Sequence, residues 1–336
     1  MNAAWNGEMW DEFGTTVDLS DYAKLEDVQA IALAEVNRIL YSGNAATVSD
    51  RAGIVAMINN DEPEVEITLN KNLTLTSYLT VPEGKDVTLD LNGNTITAST
   101  AAFVQGGNLT VKNGTINTTS TGIAARGGAT VTVENANITS SRSNGITATE
   151  SDVIVESGSI TSQEAGVVGF KDSNIIINGG VITGIDNGPI MGNGSAAGSQ
   201  NDGTNMNVVM NGGTLIAHIQ SAGYVACGVY VPNSGSFTMN GGEIISDGAG
   251  IVMRGGQVNL NGGRIVANGE SGVKGKVGDS RIVVGPYAIV YDAQSRYPAM
   301  DTLELNIASG MILEGTDGDI DYILENGVEA NVTDNR

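Results

Sequence analysis

Through most of the chain, short runs in which apolar and polar residues alternate end in a turn of Asn and Gly and resume with one more aliphatic residue. The segments VTLDLNGNTI (87–96), LTVKNGTI (109–116), VTVENANI (131–138), VIVESGSI (153–160), IIINGGVI (175–182), VVMNGGTL (208–215), FTMNGGEI (237–244) and VNLNGGRI (258–265) repeat this pattern. Alternation at period two predicts strands with one buried face. The closing aliphatic residues, Ile96, Ile116, Ile138, Ile160, Ile182, Leu215, Ile244 and Ile265, follow one another at 20, 22, 22, 22, 33, 29 and 21 residues. A second cassette trails five of these by seven or eight residues: Gly122-Ile123, Gly145-Ile146, Gly166-Val167, Gly250-Ile251 and Gly272-Val273. Each repeat therefore holds at least two strands.

A period near 22 without helical spacing predicts an all-β fold, a single-stranded parallel β-helix over residues 65–310 in which every strand pairs with its counterpart one turn on. The leucine-rich-repeat reading of a similar period fails, because its Leu-x-x-Leu-x-Leu pattern is missing. Asn92, Asn178, Asn211, Asn240 and Asn261 read as one corner position. Gly114, Gly158, Gly180, Gly213, Gly242 and Gly263 read as a second, two residues later. Such corners need positive φ, and stacked Asn amides can hydrogen-bond along the axis. The two long spacings locate insertions at 192–207 and 216–228, expected to project from one side of the solenoid, either as contact loops or as tolerated insertions.

Both ends of a solenoid expose unpaired strands that need covering. Residues 44–64 are expected to form the first cap. There Ser49 or Asp50 opens a short capping helix over 51–59, whose Ile54, Val55, Met57 and Ile58 sit on the first turn. The period fades after about 290, and 311–336 is expected to cap the far end. Residues 17–43 predict a helix with Leu25, Val28, Ala32, Val36 and Ile39 along an approximate heptad seam. That seam favours self-association, as a trimer or a dimer. Both tryptophans, Trp5 and Trp10, stand with Met9 and Phe13 in residues 1–16, which read as an anchor peptide for a groove on a partner.

Composition narrows the partners. The chain has 46 glycines, 6 prolines and a formal charge of -22, a field that repels phosphate backbones and anionic membranes. Nucleic acid and membrane are therefore not expected partners. No apolar run approaches the length of a membrane span, and the start has neither a basic n-region nor an apolar h-region, which predicts no secretory signal. Cys227, the lone cysteine, reads as a core residue.

Catalytic chemistry is sparse. Glu150, Glu164, Asp172, Asp247, Glu270 and Asp279 fall mostly in turns with no second catalytic residue type beside them. Arg126 and Arg254 share a lattice position, but five turns separate them, about 24 Å at a strand spacing of ~4.8 Å. No enzyme activity, metal or cofactor is predicted. Aromatic residues are 4% of the chain, and Tyr224 and Tyr230 with His218, beside the second insertion, are the candidate ligand contacts. Phe170, Tyr287, Tyr291 and Tyr297 are further aromatic candidates.

The order of an aromatic N-terminal peptide, the stretch VDLSDYAKLEDVQAIALAEVNRI (17–39), a capping helix and a Gly/Asn-rich β-helix resembles the head fibres and related tail fibres or spikes of tailed bacteriophages. The rung VTLDLNGNTI is similar to those of the pectate-lyase-like superfamily, a pattern shared by adhesins, lyases and virion proteins. This resemblance implies a right-handed β-helix in a homotrimeric virion structural protein. Its N-termini would be held by a capsid or tail protein, with host-surface or environmental glycans as candidate ligands. Polysaccharide-degrading tailspikes and bacterial surface adhesins are the alternatives it leaves open.

Overall fold

A computed structural model of the chain describes residues 3–5, 10–12, 29–32, 36, 40–192, 206–218, 227–231, 235–253, 256–269, 274–277, 280–283, 289–292, 303–315, 322–325 and 330–336. The alternating runs are strands, and their burial alternates as the sequence does: Val131 and Val133 are buried, while Thr130 and Thr132 are only partly so. Every turn of the chain lays down three strands. Asp152–Val155, Gly158–Ser162 and Ala165–Phe170, for instance, pair in parallel with Asn174–Ile177, Val181–Ile185 and Gly188–Gly192 of the next turn.

The result is a parallel β-solenoid with three strand columns. The first sheet runs from Ala45–Val48 to Ala330–Asp334, and the second from Leu73–Thr74 to Met311–Gly315. The third runs from Leu79–Val81 to Tyr322–Glu325 and has ten strands, giving about nine turns. Asn108–Thr118 and Thr130–Ser140 pass through the first corner unbroken and join the first two sheets. Among the described residues, helix is confined to α1 (Arg51–Ile58) and to residues 29–32, 36 and 40.

Register stacks like on like. Val87, Leu109, Val131, Val153 and Ile175 form one inward column, and Ile116, Ile138, Ile160, Ile182 and Leu215 another. All are at most 2% exposed. Burying each such side chain contributes roughly 1.5–3 kcal/mol relative to leaving it in water. The recurring Gly of the second cassette has a steric cause. A β-carbon at Gly145 would overlap Ile160 Cγ2 and the Gly166 carbonyl oxygen, and Gly122 and Gly166 meet the same two kinds of atom.

Four features differ from the sequence reading. Register places Asp90, not Asn92, in line with Lys112, Glu134 and, further on, Asn178. The turn at 91–94 is two residues longer than its successor at 113–114, which is why Ile96 and Ile116 are only 20 apart. At the shared Asn column the backbone is not left-handed. Positive φ falls two residues later, at Gly158, Gly180, Gly213, Gly242 and Gly263, and in the earlier turns one residue later, at Asn113 and Asn135.

The third-sheet strand of the ninth turn is Ile289–Asp292 rather than Gly272-Val273. An antiparallel hairpin, Lys274–Val277 with Ser280–Val283, intervenes. At the far end, Met311–Gly315, Tyr322–Glu325 and Ala330–Asp334 continue the three columns, so the residues expected as a cap extend the ladder instead.

At the near end, Asp50 is the N-cap of α1. Its carboxylate accepts from the Gly53 N–H at 2.8 Å. Ile54, Met57 and Ile58 are buried in the main core, and α1 packs on the first-turn strands Ala45–Val48, Glu64–Leu69 and Leu79–Val81.

Candidate functional site

Side chains on the outer face of the third sheet alternate with the inward core residues. In strand Ala102–Gln105, Phe103 faces out between Ala102 and Val104. In Ile123–Arg126 the outward residues are Ala124 and Arg126, and in Ile146–Thr149 they are Thr147 and Thr149. Register aligns Phe103 with Ala124 and Thr147 in one row, and Arg126 with Thr149 and Phe170 in the next. These rows, with Tyr78, Thr100, Thr121 and Lys171, line an open groove of about 700 Å³.

Its geometry starts at the first turn. Tyr78 stands in the register position that Gly122 and Gly145 occupy two and three turns later, and the residue is 52% exposed. Arg51 of α1 fixes the backbone there, donating to the carbonyls of Ser77 at 3.2 Å and Tyr78 at 3.1 Å. The Tyr78 and Phe103 rings are 6.1 Å apart and tilted by 50°. The Arg126 guanidinium lies 5.3 Å from the Phe103 centroid, within cation–π range. Four threonines supply hydroxyls between the aromatic ends, and the lining carries two cations and no carboxylate.

Past Thr147 the row that begins at Phe103 becomes apolar and buried: Val168 is 7% exposed, Met191 7%, Tyr230 2% and Val252 0%. Phe170 packs against this cluster, and so closes one end of the groove. Cys227 belongs to the cluster, and its burial pushes the thiol pKa well up. The two insertions leave from the corners that flank this part of the third sheet. The first follows Gly188–Gly192 and the second follows Thr214–His218, so they depart from different sides of the column.

A second hollow, about 380 Å³, lies against the first sheet and is lined by Asn44, Glu64, Glu66, Asp86, Thr88 and Lys112 among others. Lys112 Nζ is 3.1 Å from Glu66 and 3.9 Å from Asp90. The hydrogen bond to Glu66, then the nearby carboxylates, hold the Lys112 pKa above its ordinary value despite some desolvation. Among the described residues, no group of three or more His, Cys, Asp or Glu side chains could hold a metal ion. No helix among them is long and apolar enough to cross a membrane.

Of the residues singled out from the sequence, Trp5 and Trp10 sit directly opposite each other in an antiparallel pair, Ala3–Trp5 with Trp10–Glu12. Met9, Phe13, Leu25, Val28, Ile39 and Tyr224 lie outside the described residues. Ala32 and Val36 are helical and exposed, as are Ile31 at 67% and Leu40 at 67%. His218 ends strand Thr214–His218, with Nδ1 3.1 Å from Asp247 Oδ2. Tyr230 is buried and presents no ring to solvent, and neither it nor His218 reaches the groove.

Tyr78 and Phe103 escaped the sequence reading because their turns lack the Gly-Ile cassette, having Tyr78-Leu79 and Ala101-Ala102 in its place. Extending the register backward from Gly122 would have found them.

Fold and groove define a parallel β-solenoid with a ligand-sized channel on one face. No family model, no curated protein and no solved structure matches the chain.

Proposed function

We propose that this chain is a fibre-type structural subunit of a tailed-phage virion. In this reading it is a homotrimer attached through its N-terminus to a capsid or tail protein, with α1 capping a solenoid that projects outward and contacts host-surface glycans. The observation that carries the reading is the set of exposed aliphatic side chains, Ile31, Val36 and Leu40, each at a helical position ahead of the solenoid. Each would gain roughly 1.5–3 kcal/mol on full burial, and association of like helices is the economical way to achieve it. The Trp5–Trp10 pairing supports a docking role for the first residues, because Trp is enriched at binding hot spots.

Binding rather than cleavage is favoured by the groove's lining, which lacks the pair of carboxylates used in glycoside hydrolysis. One observation favours the enzymatic alternative: the carboxylates Glu64, Glu66 and Asp86 share the first-sheet hollow with Lys112. Release of oligosaccharide from a capsular glycan, abolished by Glu66→Gln, would select it.

Native mass spectrometry decides the assembly. The expected mass is three times the chain mass of 34.5 kDa, and a monomer at micromolar concentration overturns the fibre reading. Removing residues 1–16 is expected to leave the trimer intact and abolish its co-purification with virions.

A further inference from the structure

We infer that the third-sheet groove recognises an acidic oligosaccharide, whose carboxylates meet Arg126 and Lys171 while its sugar faces lie on Tyr78 and Phe103. The inference rests on the glycan-contact part of the proposed function and is independent of trimer formation and virion attachment.

Charge is the first argument. The chain has 38 acidic and only 16 basic side chains, yet the groove's lining holds two of the cations and no acid. A neutral sugar needs no cation. An anionic one approaching a surface of net charge -22 needs a local reversal of sign. The nearest acids along the chain, Glu150 and Asp172, are not part of the lining. The contact between Arg126 and Phe103 positions the guanidinium without neutralising it, since the ring bears no net charge. A guanidinium is also the side chain whose planar donors match a carboxylate.

Dimension is the second. The groove crosses five neighbouring strands of the third sheet, from Leu79–Val81 to Ala165–Phe170. Its length is therefore about 19 Å at ~4.8 Å per strand. Arg126 aligns with Thr149 and Phe170, so Lys171 follows about two strands on, roughly 10 Å along the axis. That is about the length of a disaccharide, so a chain with an acid on alternate sugars would meet both cations. Tyr78 and Phe103 offer apolar ring faces at one end, and Thr121, Thr147 and Thr149 supply hydroxyls along the middle.

The full-length protein should be titrated by calorimetry against a panel of uronate and sialylated oligosaccharides, alongside their methyl esters as neutral counterparts. Acidic probes are expected to bind and their esters to bind at least tenfold more weakly. Arg126→Gln and Lys171→Gln should each weaken acidic binding at least tenfold with unchanged thermal midpoints. Lys71→Gln, which removes an exposed charge outside the groove, should change nothing. Phe103→Ala should weaken acidic and neutral probes alike. Equal affinity for esters and acids, with loss on Phe103→Ala, overturns the acidic specificity and leaves the glycan contact standing. No binding by any acidic probe, or binding indifferent to Arg126→Gln and Lys171→Gln, overturns the site itself. A monomeric mass in native spectrometry would instead fail only the fibre reading.

Discussion

At Gly145 the space for a β-carbon is already taken by Ile160 Cγ2 and the Gly166 carbonyl oxygen, whereas Gly310 has nothing within 4 Å of the same position. Gly145→Ala is therefore expected to cost about 1–3 kcal/mol by overpacking, and Gly310→Ala to stay within about 0.5 kcal/mol of neutral. Denaturant melts of the two variants test the contrast, and equal stabilities would remove the steric account of the cassette. Cys227 gives a second residue-level test. Burial disfavours its thiolate, so a thiol reagent should leave the native protein unmodified over hours and react at once in denaturant. Fast native labelling would show that the apolar cluster around it opens readily.

Within the strand columns, polar order continues on the surface. Asn178, Asn211, Asn240 and Asn261 form an amide ladder at the first corner. Each Nδ2 donates to the Oδ1 of the preceding turn at 2.8 Å, and Asn178 donates to Glu156 at 3.0 Å. A carboxylate, which only accepts, is a fitting end for a ladder whose donors all point one way. The pattern recurs with Asp90, Asn113 and Asn135, and with Asp152, Asn174 and Asn207. Asn211→Ala removes two rungs of the ladder at an exposed position. It should cost about 1 kcal/mol in a denaturant melt, and no change would mean that water replaces the amides without loss. Helix α1 depends likewise on one polar contact. Asp50→Ala should cost about 1 kcal/mol, read as faster amide exchange over 51–58 than over the central turns.

For the whole molecule, the far end of the solenoid is joined to the body by charge. Arg264 reaches back to Glu243 in the preceding turn and forward to Glu314 in the next, the latter through two hydrogen bonds of 3.2 and 2.7 Å. The Glu314 carboxyl is held below its ordinary value, first by the hydrogen bonds from Arg264. A depressed carboxylate stabilises the fold above its unfolded pKa of about 4.3 and loses that contribution as pH falls through the folded value. Amide exchange in 303–315 should therefore accelerate below about pH 4.3 more than exchange in the central turns, and Arg264→Gln should remove the difference. The effect is modest because the pair is exposed.

By itself the sequence determined the parallel stacking, the two-residue alternation and most of the inward columns, because each turn repeats the steric problem of the last. Ile160 could be matched to Ile182 by counting, and Gly145 to Gly166. Counting failed where a turn changed length without changing its residues, as at 91–94, and where a hairpin displaced a strand, as before Ile289. Only the tertiary structure decided that Tyr78, Phe103, Arg126 and Phe170, spread over 93 positions of chain, share one face. Alternation marks each of them as outward-facing, but their rows are set by inter-strand register, which the local hydrophobic pattern does not mark where a turn lacks the Gly-Ile cassette.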